Sequence, residues 1–266
     1  MRPTRVWITG ASQGIGRACA ERFAKDGAAL ALCARRAAPL EHAAEALRDL
    51  GATCASATVA DVAVLEQVNG FAREALDALG GCDILVHNAG GGGPGGVLGG
   101  DDDAFEADWR YAFDVNVMAA ARLARAASEA LQASKGVIVL LSSAWRHRPG
   151  SEMPASYGAA KAALDDLTQS LAREFGPRGV RVVGIAPGPI WTETWERDLQ
   201  RHAERDGLDP EQLRESVIAE AGGATAMGRP GTMEEIARAI HWAASPEASY
   251  LTGTTLLIDG GFVAGS

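Results

Sequence analysis

Arg5-Val6-Trp7-Ile8-Thr9-Gly10-Ala11-Ser12-Gln13-Gly14-Ile15-Gly16 is the stretch that decides the fold. Its first five residues read as a buried strand that runs directly into a glycine-rich turn, and Arg17 to Asp26 continues as a helix. Glycines let the backbone of such a turn come close to a ligand. The unpaired N–H groups and positive end of the following helix can then hold an anion. Gly10, Ser12, Gln13, Gly14, Ile15 and Gly16 are therefore candidate contacts of a cofactor pyrophosphate. The spacing is GxxxGxG rather than GxGxxG, so the general dinucleotide fingerprint covers it only in part. A glycine turn without a ligand is the alternative, and the strand-turn-helix setting argues against it.

Outward from this unit, Ala28 to Cys33 reads as a second apolar strand, followed by Ala34-Arg35-Arg36. An enzyme using NAD commonly places an acid near the end of this strand for the ribose 2′-hydroxyl, whereas a 2′-phosphate suits guanidinium groups. Here the acid is missing and Arg35 and Arg36 stand in its neighbourhood, so NADP(H) is expected over NAD(H). Paired arginines on a solvated strand edge are the alternative. Leu40 to Leu50 has helical spacing, Thr53 to Val59 is strand-like, and Asp61-Val62 is expected to open the next helix. Asp61 either caps that helix or accepts from an adenine amino group.

Cys82 to His87 is a further strand ending in Asn88-Ala89-Gly90; Gly136 to Leu141, Val180 to Ala186 and Leu256 to Ile258 complete the series. Strands separated by helices imply parallel crossovers. The expected fold class is α/β: a Rossmann-like doubly wound parallel sheet flanked by helices on both faces, in a single domain over residues 1–266. Function then belongs at the carboxyl ends of the strands.

Hydrophobic residues at 47% and charged residues at 22% suit a globular protein with a sizeable core. Lys plus Arg number 25 against 34 Asp plus Glu, a net charge of −9, which argues against nucleic acid as a partner. Cys19, Cys33, Cys54 and Cys82 form no CxxC pair, and His42, His87, His147, His202 and His241 have no metal-binding spacing. Neither a metal nor a disulfide framework is expected, and a reducing cytoplasm fits. Val137 to Leu141 is too short to span a bilayer, and only Met1 to Thr4 precede the first strand, so neither membrane segment nor signal peptide is read.

Tyr157-Gly158-Ala159-Ala160-Lys161 is the candidate chemical centre. Residues four apart on a helix share a face, so the phenol and the ammonium project to one side, and a positive neighbour favours the phenolate. Such a tyrosine can exchange a proton near neutral pH. Ser143 closes an apolar strand, with thirteen residues between it and Tyr157, and there its hydroxyl can position a substrate oxygen; Ser142 is the competitor.

Thr9-Gly10-(x3)-Gly14-Ile15-Gly16, Asn88-Ala89-Gly90, Asn116, Ser142-Ser143, Tyr157-(x3)-Lys161, Pro187-Gly188 with Thr192, Leu251-Thr252-Gly253 and Asp259-Gly260-Gly261 together resemble the short-chain dehydrogenase/reductases. The resemblance runs in order along essentially the whole chain. It implies hydride transfer between a nicotinamide and a carbonyl or secondary alcohol, with Tyr157 as acid/base and Ser143, the second serine of its pair, steadying the oxygen. It also implies that Lys161 bonds the nicotinamide ribose and that Asn116 holds a water joining Lys161 to solvent. By the same likeness Asn88, Ala89, Gly90, Pro187, Gly188, Ile190 and Thr192 line the cofactor, the last two at the carboxamide. A homodimer or homotetramer is implied, with the face of Ala119, Ala120, Ala124 and Ala127 at a subunit interface unless these alanines pack inside the monomer. The nearest general likeness is to the 3-oxoacyl thioester reductases, although sugar, steroid and polyol enzymes share the skeleton. A cofactor-binding regulator without turnover is the rival from another class.

Residues 190–227 form a long excursion expected to act as a substrate lid, with Trp191, Trp195 and Leu199 at helical spacing. Gly90 to Gly100 contains eight glycines in eleven residues and is expected to be a mobile loop. Asp101, Asp102 and Asp103 read as the start of a helix reaching to about Ala133. Trp145-Arg146-His147-Arg148 hints at an anionic substrate, but its arginines are expected to face solvent. His87 is expected to alter local packing without touching the chemistry. Thr232-Met233-Glu234-Glu235 has capping-box spacing.

Overall fold

The computed structural model describes residues 2–92, 101–148 and 153–263. One sheet collects seven strands: β1 Arg5–Thr9, β2 Ala29–Ala34, β3 Cys54–Val59, β4 Ile84–His87, β5 Val137–Leu141, β6 Arg181–Pro187 and β7 Thr254–Ile258. The order is β3-β2-β1-β4-β5-β6-β7, and every neighbouring pair is parallel. Strand order reverses between β1 and β4. That reversal opens a crevice at the carboxyl rim, as in doubly wound folds generally.

The helices are α1 Gly14–Ala24, α2 Ala37–Asp49, α3 Leu65–Leu79, α4 Asp102–Phe113, α5 Ala119–Ala126, α6 Ser128–Ser134, α7 Ala155–Phe175, α8 Glu193–Asp206, α9 Pro210–Gly223 and α10 Met233–Ala244. Alternate residues of a strand face opposite sides, and both sides are apolar here. Val6, Ile8, Leu30, Leu32, Val139 and Ile185 pack with α1, α2 and α10, while Trp7, Ala31, Leu85, Ile138, Leu140 and Val182 pack with α3, α5 and α7. Two buried faces explain why these strands read as continuous apolar runs.

Asp101 caps α4 by accepting from Ala104 N–H at 2.8 Å, as its acids implied. The helix from Asp103 to Ala133, however, is not one element. A π-helical turn over Asp114–Met118 separates α4 from α5, and a bend at Ala127 separates α5 from α6. Such wide turns insert a residue into the helical register, and here Asn116 is the one carried inward. Asp61 does not open α3, which starts at Leu65; it sits in a turn and accepts from Ala63 N–H at 3.0 Å. Ala119, Ala120, Ala124 and Ala127 are fully buried within the chain, so they serve the monomer core rather than a free surface.

Residues 93–100 of the glycine-rich stretch lie outside the described residues. Cys19, Cys33 and Cys82 are buried and unpaired, and burial pushes the Cys33 thiol up to about 12; Cys54 is half-buried. Among the described residues no helix is long and apolar enough to cross a membrane, and no cluster of His, Cys, Asp and Glu could hold a metal ion.

Candidate active site

Turns leaving β1 to β6 line two adjoining cavities, which share Ile15, Asn88, Gly90 and Thr192 as walls. The first, of about 770 Å³, is lined by Gly10, Ser12, Gln13, Gly14, Arg35, Arg36, Asp61, Val62 and Ala89. Its glycines serve different ends. Gly10 has φ +67° and no room for a side chain, because an added Cβ would lie 2.8 Å from Asn88 Nδ2. Gly16 lines neither cavity; a Cβ there would strike the Gly10 carbonyl and the Asn88 amide. Asn88 itself donates through Nδ2 to the Thr9 and Gly10 carbonyls at 3.1 and 3.2 Å, tying the glycine turn to the end of β4. Gly14 has φ +61° and open space above it.

The start of α1 has no side-chain cap and no acid in its first turn, unlike α4, α8, α9 and α10. Its N–H groups therefore remain for an outside acceptor. Gly14 N–H presently donates to Glu193 Oε2 at 3.0 Å. Helix-start donors at one end and the guanidinium groups of Arg35 and Arg36 at the other fit a dinucleotide carrying an extra phosphate. Tyr111, which accepts from Arg35 at 3.2 Å, and Arg197 also line this cavity. Both come from distant elements, and no local pattern in the sequence marks them.

The second cavity, of about 580 Å³, gathers Ser143, Tyr157, Lys161, Pro187, Gly188 and Ile190. Lys161 is buried, its Nζ 5.5 Å from the centre of the Tyr157 ring and donating to the Leu141 carbonyl at 2.6 Å. Ser142 spends its hydroxyl proton on the Lys161 carbonyl at 3.1 Å. Ser143 Oγ instead accepts from Trp145 N–H at 3.3 Å and keeps its own proton for a partner. Asn116 donates to the Gly91 and Ala112 carbonyls at 2.7 and 2.8 Å, leaving Oδ1 buried without a partner. An added Cβ on Gly90 would meet Asn116 Oδ1 at 2.5 Å and Lys161 Nζ at 3.0 Å, so amide oxygen and ammonium face one small space. The residues named from sequence thus converge, with Asn116 behind the cavity wall and Gly16 beneath the turn.

The electrostatics differ from the expectation that Lys161 depresses the Tyr157 phenol. Burial pushes that phenol above its ordinary value, opposed by a hydrogen bond with Ser143. Burial also lowers Lys161 to about 7, opposed by the Asp165 carboxylate one turn further along α7. Desolvation disfavours both charged forms and is the largest influence on each. His87 is buried between Thr9 and Lys161 and lowered to about 3, first by burial and then by the lysine; it is a neutral ring whose Nδ1 lies 3.0 Å from Thr9 Oγ1.

Arg146 does not face solvent. It pairs with Asp165, which also accepts from Thr255 Oγ1 at 3.0 Å, and donates to the Ser143 carbonyl at 2.9 Å. Its charge is therefore committed internally and offers nothing to an anionic substrate. Arg148 lies 4.4 Å above the Phe262 ring, and Trp145 meets the same ring edge-on at 4.8 Å. Trp145, Met153, Trp195, Val217, Ala221 and Phe262 make the rest of the cavity mostly apolar, with Glu220 its one carboxylate among the described residues. Glu220 and Ala221 fall within the expected lid of residues 190–227, whereas Met153 and Phe262 were not legible as site residues, although Phe262 directly follows Asp259-Gly260-Gly261.

A sequence profile of the family described as Enoyl-(Acyl carrier protein) reductase matches residues 10–263. The chain is 39% identical over 262 residues to galactitol 2-dehydrogenase (L-tagatose-forming) of Cereibacter sphaeroides, covering 96% of this chain and 93% of that one. This chain belongs to the short-chain dehydrogenase/reductase family. A second short-chain relative, 3beta-hydroxysteroid dehydrogenase 1 of Eggerthella lenta, is 36% identical over 264 residues, 96% of this chain and 92% of that protein. Among solved short-chain structures, L-sorbose reductase from Gluconobacter frateurii complexed with NADPH and L-sorbose superposes with a TM-score of 0.90 at 32% identity, covering 99% of this chain and 98% of the other. An oxidoreductase of alcohol or carbonyl groups is the class this membership gives.

Proposed function

We propose that the protein is an NADP(H)-dependent oxidoreductase that interconverts a ketone and a secondary alcohol on a compact, ring-bearing substrate. The single observation carrying this reading is the convergence of Ser143, Tyr157 and Lys161 on a cavity that adjoins one furnished with Arg35 and Arg36. The sorbose reductase complex with NADPH supports the choice of cofactor. Apolar walls from Trp145, Trp195 and Phe262 suit the face of a ring, and the relative named for a steroid alcohol supports that class.

The bound nicotinamide supplies or takes the hydride. Tyr157, protonated at neutral pH because its phenol is raised, donates its proton to the carbonyl oxygen as negative charge develops there. Ser143, whose hydroxyl faces the Tyr157 phenol, donates its proton to the same oxygen and holds it in place. Lys161 and the unpartnered Asn116 Oδ1 provide the polar exit through which a water can resupply the phenol. Alcohol oxidation needs the phenolate, so it gains as pH rises while ketone reduction declines.

The helices α8 and α9 form the lid of this site: Trp195, Val217 and Ala221 cover the substrate cavity. A homo-oligomer belongs to the same proposal, supported by the exposed Trp242, Tyr250 and Leu257 near the end of the chain. A 3-oxoacyl thioester is the second substrate reading; the profile description shares with it the acyl-carrier thioester but names an enoyl group rather than a ketone.

Following NADPH absorbance over cyclic ketones, ketoses and 3-oxoacyl thioesters tests the proposal. Turnover is expected on cyclic substrates. Tyr157→Phe is expected to lower kcat by at least about 10³-fold with NADPH affinity nearly unchanged. Absence of turnover across the panel would favour a non-catalytic cofactor binder.

A further inference from the structure

Two guanidinium groups meet on one neutral oxygen at the rim of the cofactor cavity. Arg36, at the end of β2, and Arg197, on α8, both donate through Nη2 to Gln13 Oε1, at 2.7 and 3.1 Å. Arg197 also donates to Thr194 Oγ1 at 3.2 Å, and Arg35 lines the same cavity. None of Arg35, Arg36 and Arg197 forms an ion pair among the described residues, in a chain with nine more acids than bases. An amide oxygen offers two cations a dipole but no charge. A phosphate oxygen near that position would accept from the same donors in charge-assisted bonds. One residue further along the glycine turn, the Glu193 carboxylate occupies Gly14 N–H at 3.0 Å, where a free helix start would otherwise receive an anion. Glu193 and Arg197 are one helical turn apart on α8, so one helix end touches both phosphate positions.

We propose that the first turn of α8 reads the phosphates of the cofactor: Arg197 joins Arg35 and Arg36 on the 2′-phosphate, and Glu193 holds Gly14 N–H until the pyrophosphate displaces it. The proposal rests on the NADP(H) reading above. Its consequence is a coupling between cofactor and substrate, because α8 leads into α9, whose residues Val217 and Ala221 wall the substrate cavity. Loading the 2′-phosphate fixes the helix that carries Trp195 into that cavity.

Direct binding separates the parts. Quenching of tryptophan fluorescence gives Kd for NADPH and for NADH without turnover, and Trp191 and Trp195 flank the residues concerned. Both test positions are exposed, so Arg197→Met and Glu193→Gln leave the core untouched. Arg197→Met is expected to raise Kd for NADPH by about 10- to 100-fold, the worth of a charged hydrogen-bonded contact, with NADH changed less than twofold. Glu193→Gln is expected to tighten both cofactors several-fold, since both carry the pyrophosphate. Wild-type protein that binds NADH as tightly as NADPH overturns the NADP(H) reading itself. A wild-type NADPH preference that survives Arg197→Met, or is lost for both cofactors alike, overturns the role of Arg197. Unchanged or weaker binding in Glu193→Gln overturns that of Glu193.

Discussion

Lys161 shows at the scale of one residue how chemistry opposes stability. Its ammonium is buried, and its value has moved from 10.5 to about 7 because burial penalises the charge more than Asp165 relieves it. The folded state therefore binds this proton less readily than the unfolded chain. The penalty is full below pH 7 and fades as pH rises from 7 toward 10.5. Lys161→Met removes it, while leaving the Leu141 carbonyl without its donor. The expected net gain is about 1–3 kcal/mol at pH 6.5, shrinking at pH 10, after a loss of that order for the orphaned carbonyl. Urea unfolding of the two proteins at both pH values checks this. Under the proposed function this cost is the counterpart of the lysine's part in the reaction, as stability and activity commonly conflict at active sites.

At the scale of elements, the 3-10 turn Ala144–His147 is pinned between α7 and the chain's last turn. Arg146 links Asp165 on α7 to the Ser143 carbonyl, so the serine is held in register with the helix that carries Tyr157 and Lys161. Arg146→Ala leaves the half-buried Asp165 without its ion partner, with an expected loss of about 2–4 kcal/mol in thermal or urea unfolding. The loosened Ser143 is expected to lower kcat by about 10- to 100-fold, with Arg146→Lys recovering part of it. A folded Arg146→Ala protein with full kcat would remove the arginine from any positioning role.

The same scale shows what could be read in advance. The strands were legible because both faces of the sheet are buried, so Val6 to Ile8 or Val137 to Leu141 carry apolar residues without interruption. The glycine turn, Ser143, Tyr157 and Lys161 were legible because strand ends and a single helical turn are local patterns. The π turn at Asn116 was not, because its extra residue is set by packing between α4 and α5 and leaves no mark on the spacing. Arg146 was misjudged for the complementary reason: its partner Asp165 is near only after α7 folds back on β5.

Over the whole molecule, acid sensitivity has two separable sources. His87 is neutral in the fold and lowered to about 3 from an ordinary 6.5, so its contribution is lost as pH falls from 6.5 toward 3. Asp83, clasped by Arg2 and Arg5 where β1 and β4 begin, is held well below the usual carboxylate range despite its partial burial. Its contribution is present above its unfolded value and is lost as pH falls below about 4. The urea midpoint is expected to decline from pH 6.5 downward, and His87→Asn to flatten the part between 6.5 and 4, leaving below 4 the decline that belongs to Asp83.

The placement of the sulfur atoms lends the molecule to optical study. Three thiols are sealed in the interior and only Cys54, the first residue of β3, reaches solvent in part. A native protein should thus take up one equivalent of a maleimide dye, read by mass, with further equivalents only after denaturation. Since that position marks the amino end of its strand, opposite the rim where the coenzyme would lodge, a fluorophore there could report on distances to the moving helices while leaving turnover intact.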